Sequence, residues 1–165
     1  MKNKPEINIR TRALRYLSRR EYSRAELRGK LLSCVQVDEN SEPGVQQIPS
    51  ARQILDTLLD DLTARGWLSD ERATTQIVHA KRNRFGSQRI IRELRLKGIP
   101  EELLNEVLPQ LQETELEAAR GVWQKKFAFA AQDENKMAKQ VRFLQSRGFA
   151  LDLIFKMLNM AKQDD

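Results

Sequence analysis

A glycine stop recurs three times along this chain, each time after a basic residue and before an apolar one. The pattern is Leu-x-x-(Lys/Arg)-Gly-apolar, and it occupies residues 62–67, 94–99 and 144–149. Glycine at this position commonly ends a helix, because it adopts the left-handed backbone conformation without a steric penalty. The last two copies are each followed by an acidic residue and a short amphipathic segment. We therefore expect tandem three-helix modules.

Apolar residues elsewhere follow the period of an α-helix, and no segment shows clean strand alternation over five residues. Ser23, with Glu26 three residues later, predicts a capped helix start, and Ser50 predicts another. After Pro100 we expect a short helix ending near Leu111, and then a separate helix over 115–129. The sequence thus predicts an all-α protein with about nine helices. The expected modules are 1–68, which contains a polar linker at 36–48, then 69–112 and 113–165.

The net charge of +6 is distributed in alternating blocks. Residues 1–35 carry ten positive and three negative charges, and residues 69–99 carry eight and three. Residues 36–62 and 100–118 are acidic, with six negative charges each. Folding could collect the basic blocks on one side. A basic chain attracts nucleic acid, acidic protein surfaces or anionic lipid, and the charge alone does not choose among them.

The segment 81–97 has the strongest charge imbalance, with seven positive residues and one acid, Glu93. Ile90, Ile91 and Leu94 form an apolar stripe on one side of its predicted helix. A solubilising surface normally mixes both signs of charge, so we interpret this segment as a binding surface. The candidate binding residues are Lys81, Arg82, Arg84, Arg89, Arg92, Arg95 and Lys97. A second candidate set is Arg12, Arg15, Arg19 and Arg20.

The sequence offers no catalytic, metal or cofactor site. It has one histidine and one cysteine, His79 and Cys34, and no glycine-rich phosphate loop. The single cysteine excludes an internal disulfide and fits a reducing compartment. There is no apolar run of membrane-spanning length and no apolar segment after the basic N-terminus, so we expect a cytoplasmic protein with neither membrane span nor secretory signal.

Two classes of binding protein remain open from these residues. The predicted helices of 69–99 have the arrangement of a helix–turn–helix, and Gln88 with Arg89 could read base edges in duplex DNA. Such a protein would be a transcription regulator. The other class docks on an anionic partner through charge, without reading a base sequence.

Three stretches of the chain carry a family resemblance: RALRYLSRREYSRAELRGKL at 12–31, ARGWLSDERATTQIVHAKRNRFGSQRIIRELRLKGIPEELL at 64–104, and KQVRFLQSRGFALDLIFKML at 139–158. In this order and spacing they resemble the RecX family, whose members regulate the RecA recombinase. The resemblance implies an elongated, curved stack of three-helix modules with a basic surface. It also implies a protein that lies along the groove of the RecA filament on single-stranded DNA, where it can touch both RecA and DNA. We expect a monomer. The resemblance further implies that the protein inhibits the strand exchange, ATPase and co-protease activities of RecA. It implies no cofactor and no catalytic residues.

Overall fold

The fold is all-α, as the sequence predicts. The computed structural model describes residues 5–35 and 50–164, and within these ranges it contains helices and no strands. The helices are α1 Pro5–Leu17, α2 Arg24–Leu32, α3 Ala51–Ala64, α4 Asp70–Lys81, α5 Ser87–Leu96, α6 Glu101–Gln124, α7 Glu134–Ser146 and α8 Leu151–Asp164. The described residues therefore contain eight helices, close to the expected nine.

The chain divides into two compact units, with the boundary between Ala73 and Thr74 inside α4. The first unit has one apolar core, in which α1, α2 and α3 meet around residues such as Leu27, Leu55 and Leu59. The second unit has two apolar clusters. One cluster joins α5 to the first half of α6, and the other joins the second half of α6 to α7 and α8.

Two predicted helix starts are confirmed by their capping hydrogen bonds. The Ser23 hydroxyl accepts a hydrogen bond of 3.0 Å from the Glu26 amide. Ser50 and Gln53 form a reciprocal capping box at the start of α3. These bonds satisfy amides that have no partner within the helix, which explains why α2 and α3 begin at these residues.

The three glycine stops have the same backbone geometry. Gly66, Gly98 and Gly148 have φ of 73°, 70° and 89°. In each copy the glycine amide donates to the carbonyl three residues earlier, and the next residue donates to the leucine five residues earlier. This pair of backbone hydrogen bonds is the Schellman motif. The leucines Leu62, Leu94 and Leu144 are all fully buried. The repeat is therefore structural as well as sequential.

The expected break between residues 111 and 115 is wrong. Helix α6 runs without interruption from Glu101 to Gln124 and includes Pro109. The segment between the two expected helices is Gln112, Glu113 and Thr114. It has no glycine or proline that would end a helix. Their position inside one long helix accounts for the lower helix number.

Candidate anion-binding surface

The basic segment 81–97 forms the end of α4, the α4–α5 turn and all of α5. Its predicted apolar stripe is confirmed, since Ile90 and Leu94 are buried and Ile91 is half-buried. With this face packed against α6, the basic side chains are left on the remaining faces of α5 and on the turn. The structure then separates the seven cations into two groups, according to their partners.

Two of the seven cations pair with acids, and two others have different partners within the protein. Lys81 pairs with Glu93, the only acid of the segment. Arg95 pairs with Glu101 at 2.7 Å, and this hydrogen bond raises the pKa of Arg95 and lowers that of Glu101. Arg82 donates to the Thr114 hydroxyl at 2.8 Å. Lys97 is half-buried and also has an interaction partner. Lys81 and Arg95 are thereby neutralised locally.

Three cations, Arg84, Arg89 and Arg92, are exposed and have no acidic partner among the described residues. The Arg89 guanidinium lies 4.2 Å from the centre of the Phe85 ring and donates to the Ser146 carbonyl at 3.2 Å. Arg84 lies farther from the same ring, at 5.6 Å. These contacts orient the guanidinium groups and leave their charge uncompensated.

Arg89 and Arg92 line an open groove of about 640 Å³ between α5 and the end of α7, which we call the Arg92 groove. Leu96 contributes an apolar side chain that is 80% exposed. The complete lining is Gln88, Arg89, Arg92, Glu93, Leu96, Gln145, Ser146 and Gly148. Arginine combined with an exposed apolar side chain is typical of a surface that contacts protein.

The N-terminal arginines also separate into groups. Arg15 and Arg19 are exposed beside Tyr16 and line a small groove on α1 together with Arg12. Arg12 has an interaction partner. Arg20 is held between Glu26 and the Tyr22 ring, with distances of 2.6 Å and 3.6 Å, and the Glu26 hydrogen bond raises its pKa. Arg20 therefore has a structural role in joining α1 to α2.

Acidic residues of α3 neutralise part of the basic N-terminal block. The ion pairs are Arg10–Asp61 at 2.9 Å, Arg24–Asp60 at 2.6 Å and Arg28–Asp56 at 2.9 Å. The hydrogen bond from Arg28 lowers the pKa of Asp56. These ion pairs neutralise part of the positive charge of 1–35 inside the first unit. This favours the segment 81–97 as the binding surface.

Sequence reasoning missed a second group of cations, at the end of α6 and the end of α7. Lys125, Lys126 and Arg147 lie with Arg84 around the half-buried ring of Phe143. We call this concavity the Phe143 groove, and its lining is Asn83, Arg84, Val122, Lys125, Lys126, Phe143 and Arg147. The adjacent Lys125 and Lys126 were the only local signal, because the other members come from distant segments.

A buried joint holds the walls of both grooves together. The Gly86 amide donates to the Arg147 carbonyl at 2.9 Å, which ties the α4–α5 turn to the α7–α8 turn. The buried Glu115 carboxylate accepts two hydrogen bonds from Ser87, at 2.7 Å from its amide and 3.0 Å from its hydroxyl. It thereby caps α5 from α6 in place of a capping side chain at Gly86. The cations on these walls are consequently presented on a supported backbone.

The described side chains include no group of three or more histidine, cysteine, aspartate or glutamate residues placed to hold a metal ion. His79 is exposed on α4. Within the described ranges, no helix is both long and apolar enough to cross a bilayer. What the surface offers chemically is uncompensated positive charge, positioned by aromatic rings and backbone contacts.

Comparison with known proteins connects this architecture to one family. The models for the first, second and third three-helix domains of RecX match residues 10–34, 69–108 and 113–158. The regulatory protein RecX of Leptothrix cholodnii is 38% identical, over 98% of this chain and 94% of the relative. That of Ralstonia pickettii is also 38% identical, over 92% and 87%.

Solved structures agree with this match at the level of the fold. A crystal structure of RecX from Lactobacillus salivarius has a TM-score of 0.74 and 20% sequence identity, and the match covers 96% of this chain and 97% of that one. A second RecX crystal structure has a TM-score of 0.70 and 21% identity, and covers 96% of this chain and 73% of that one.

Proposed function

Because the chain belongs to the RecX family of regulatory proteins, we propose that it binds the RecA recombinase and its filament on single-stranded DNA. Binding inhibits recombinase, ATPase and co-protease activity by blocking extension of the filament. The protein acts as a cytoplasmic monomer and has no enzymatic activity or cofactor of its own. In this proposal it works through three modules, 1–68, 69–112 and 113–165. The confinement of each apolar cluster to one of these ranges supports that division.

The observation that carries the proposal is the uncompensated charge of Arg84, Arg89 and Arg92. Exposed ion pairs contribute little to stability, so leaving these arginines without an acid costs the fold little. It keeps them available to an acidic or phosphate-bearing partner at a salt-sensitive affinity. We assign docking on RecA to the Arg92 groove, because Leu96 adds an exposed apolar contact there.

The other candidate binding residues have secondary roles in this proposal. Lys81, Arg82, Arg95 and Lys97 support the surface through their internal partners. Arg15 of α1 and Arg19, just beyond the end of that helix, add exposed charge, whereas Arg20 is engaged with Glu26. Arg12 belongs to the same α1 groove.

The test is the rate of ATP hydrolysis by RecA on single-stranded DNA. We expect the protein to lower that rate at equimolar or smaller amounts, and Arg89→Glu combined with Arg92→Glu to weaken the inhibition at least tenfold. Lys156→Glu is the control, because Lys156 is an exposed cation of α8 that lines neither groove. Circular dichroism must show unchanged helicity in each variant. An unchanged ATPase rate with the wild-type protein would refute the proposal.

The alternative is a helix–turn–helix transcription regulator that reads duplex DNA with α5. Gln88 and Arg89 are exposed at the start of that helix, as this alternative requires. The α7–α8 turn weighs against it, because Gly148 lies against the backbone of Arg89 and Arg147 binds Gly86. A recognition helix needs its N-terminal residues free to enter the major groove. Sequence-selective binding to a duplex without RecA would favour the alternative.

A further inference from the structure

We propose that the Phe143 groove binds the phosphodiester backbone of a nucleic-acid strand directly, without RecA. The inference deepens the proposed function, on which it rests for the choice of nucleic acid as partner. It assigns contact with DNA to a surface different from the Arg92 groove, which we assign to contact with protein. Both grooves use the α7–α8 turn. Gly148 lines the Arg92 groove, and Arg147 lines the Phe143 groove.

Three segments build the walls of the Phe143 groove, which has a volume of about 560 Å³. Asn83 and Arg84 come from the α4–α5 turn, and Arg147 ends α7 beside them. Lys125 and Lys126 extend from the end of α6. The hydrogen bond between Gly86 and Arg147 holds the first two segments in contact. The groove is therefore formed by the fold before any ligand arrives.

The lining carries four cations and no acid. Arg84, Lys125, Lys126 and Arg147 form no ion pair with any described residue. Like charges that line one groove repel one another, so a negative ligand bound there would relieve the repulsion. Asn83 adds a neutral amide that can donate a hydrogen bond to a phosphate oxygen.

Aromatic rings hold two of these cations in place without cancelling their charge. The Lys126 ammonium lies 4.1 Å from the centre of the Phe143 ring, and the Arg147 guanidinium lies 5.4 Å from it. Phe127 supports Phe143 from the side in an edge-to-face contact at 5.5 Å. An acidic partner would orient the cations equally well but would neutralise them. Cation–π contacts leave the charge available to a ligand.

A phosphate backbone fits this lining better than an acidic protein segment does. The only apolar lining residues are Val122, which is buried, and Phe143, whose ring is already contacted by Lys126 and Arg147. Protein partners gain much of their affinity from apolar contact, for which this groove has little free surface. Phosphodiester groups need only charge and hydrogen-bond donors, and they bind without regard to base sequence.

The experiment measures binding of a fluorescent oligothymidylate by anisotropy, with the full chain and no RecA. Substitution of Lys125, Lys126 and Arg147 together by alanine should weaken binding more than tenfold at moderate salt. It should also reduce the slope of log K against log salt by about 2, since each lost contact with a single strand removes about 0.7. Unchanged affinity and slope in the triple variant would overturn the proposal.

A control triple variant removes the same charge elsewhere. Arg52, Lys156 and Lys162 are exposed and line neither groove, so their joint substitution by alanine should leave the salt slope within about 1 of wild type. Competition by polyglutamate as effective as that by the oligonucleotide at equal charge would mean that the occupant is an acidic protein segment. The proposal would then be wrong.

The outcomes separate this inference from the proposed function. If wild-type protein binds the oligonucleotide through these three cations but leaves RecA ATPase unchanged, the groove assignment holds and the proposed function fails. If RecA is inhibited, and the triple variant binds DNA as wild type does, the groove assignment fails alone.

Discussion

The backbone amide of Gly86 donates a hydrogen bond of 2.9 Å to the carbonyl oxygen of Arg147, at a point where two turns approach with no room for a side chain. A Cβ atom at Gly86 would lie 2.2 Å from the Gly148 carbonyl oxygen. A Cβ at Gly148 would lie 2.3 Å from the Cβ of Arg89, on a residue with φ of +89°. Both candidate grooves depend on this close contact.

Substitution of either glycine by alanine should therefore be costly. We expect Gly86→Ala and Gly148→Ala each to lower the free energy of unfolding by about 2 kcal/mol or more, because backbone must move to admit the methyl group. Urea denaturation measures the change. Gly121→Ala is the control. Gly121 lies in α6, and a Cβ atom there would meet no atom within 4 Å, so the substitution should raise the free energy of unfolding by up to about 1 kcal/mol. Wild-type stability in Gly86→Ala would contradict the packing described for this joint.

Glu115→Ala should destabilise the second unit by about 3 kcal/mol. The substitution leaves the buried amide and hydroxyl of Ser87 without their acceptor, and hydrogen bonds to a charged group are the stronger kind. Glu117, two residues later in α6, is exposed, so Glu117→Ala should change the free energy of unfolding by less than about 0.5 kcal/mol. Similar losses in the two variants, measured by urea denaturation, would show that Glu115 does not cap α5.

Arg65→Ala should raise the pKa of Asp61 toward its ordinary value. The Arg65 hydrogen bond is the main cause of the lowered pKa, and Arg10 contributes less. Since the folded state holds this pKa below its unfolded value, the stabilisation is present above the ordinary pKa and disappears as pH falls through the folded one. Carboxyl NMR titration measures the shift. The lowered pKa of Asp133, caused mainly by the Lys136 amide, should not change in the variant. An unmoved Asp61 pKa would exclude Arg65 as the cause.

Pro109→Ala should stabilise α6 by about 2 kcal/mol. Proline inside a helix removes one backbone hydrogen bond and crowds the preceding turn, at a cost of about 3 kcal/mol. Part of this gain is offset, because the alanine variant has a more flexible unfolded chain. Pro109 is exposed, so the substitution leaves no cavity. Thermal and urea unfolding give the value, and a loss of stability would indicate that Pro109 defines a break in the helix.

Features that depend on neighbouring residues were predictable from the sequence. The caps at Ser23 and Ser50 involve residues three positions away, and the glycine stops involve residues up to five positions away. The break expected after Leu111 was not real, because apolar spacing alone cannot distinguish two short helices from one long helix. The apolar stripe of α5 was predictable because its period matches the helix.

Which of the seven cations pair with acids was not predictable. Lys81 forms an ion pair with Glu93 across the α4–α5 turn, and Arg95 forms one with Glu101 beyond Gly98. The seven residues looked equivalent in sequence, and only their positions in space distinguish Arg84, Arg89 and Arg92. Side-chain charge is visible in a sequence, whereas the distance to an opposite charge is a property of the fold.

The sequence by itself determined the helical class, the glycine-ended repeat and the excess of positive charge in 81–97, because helix period, capping and charge are encoded in short segments. Only the tertiary structure decided which cations remain available, and only it assembled the Phe143 groove from Arg84, Lys126 and Arg147. These residues are far apart along the chain. They meet because Gly86 and Gly148 permit a backbone contact that any larger side chain would prevent.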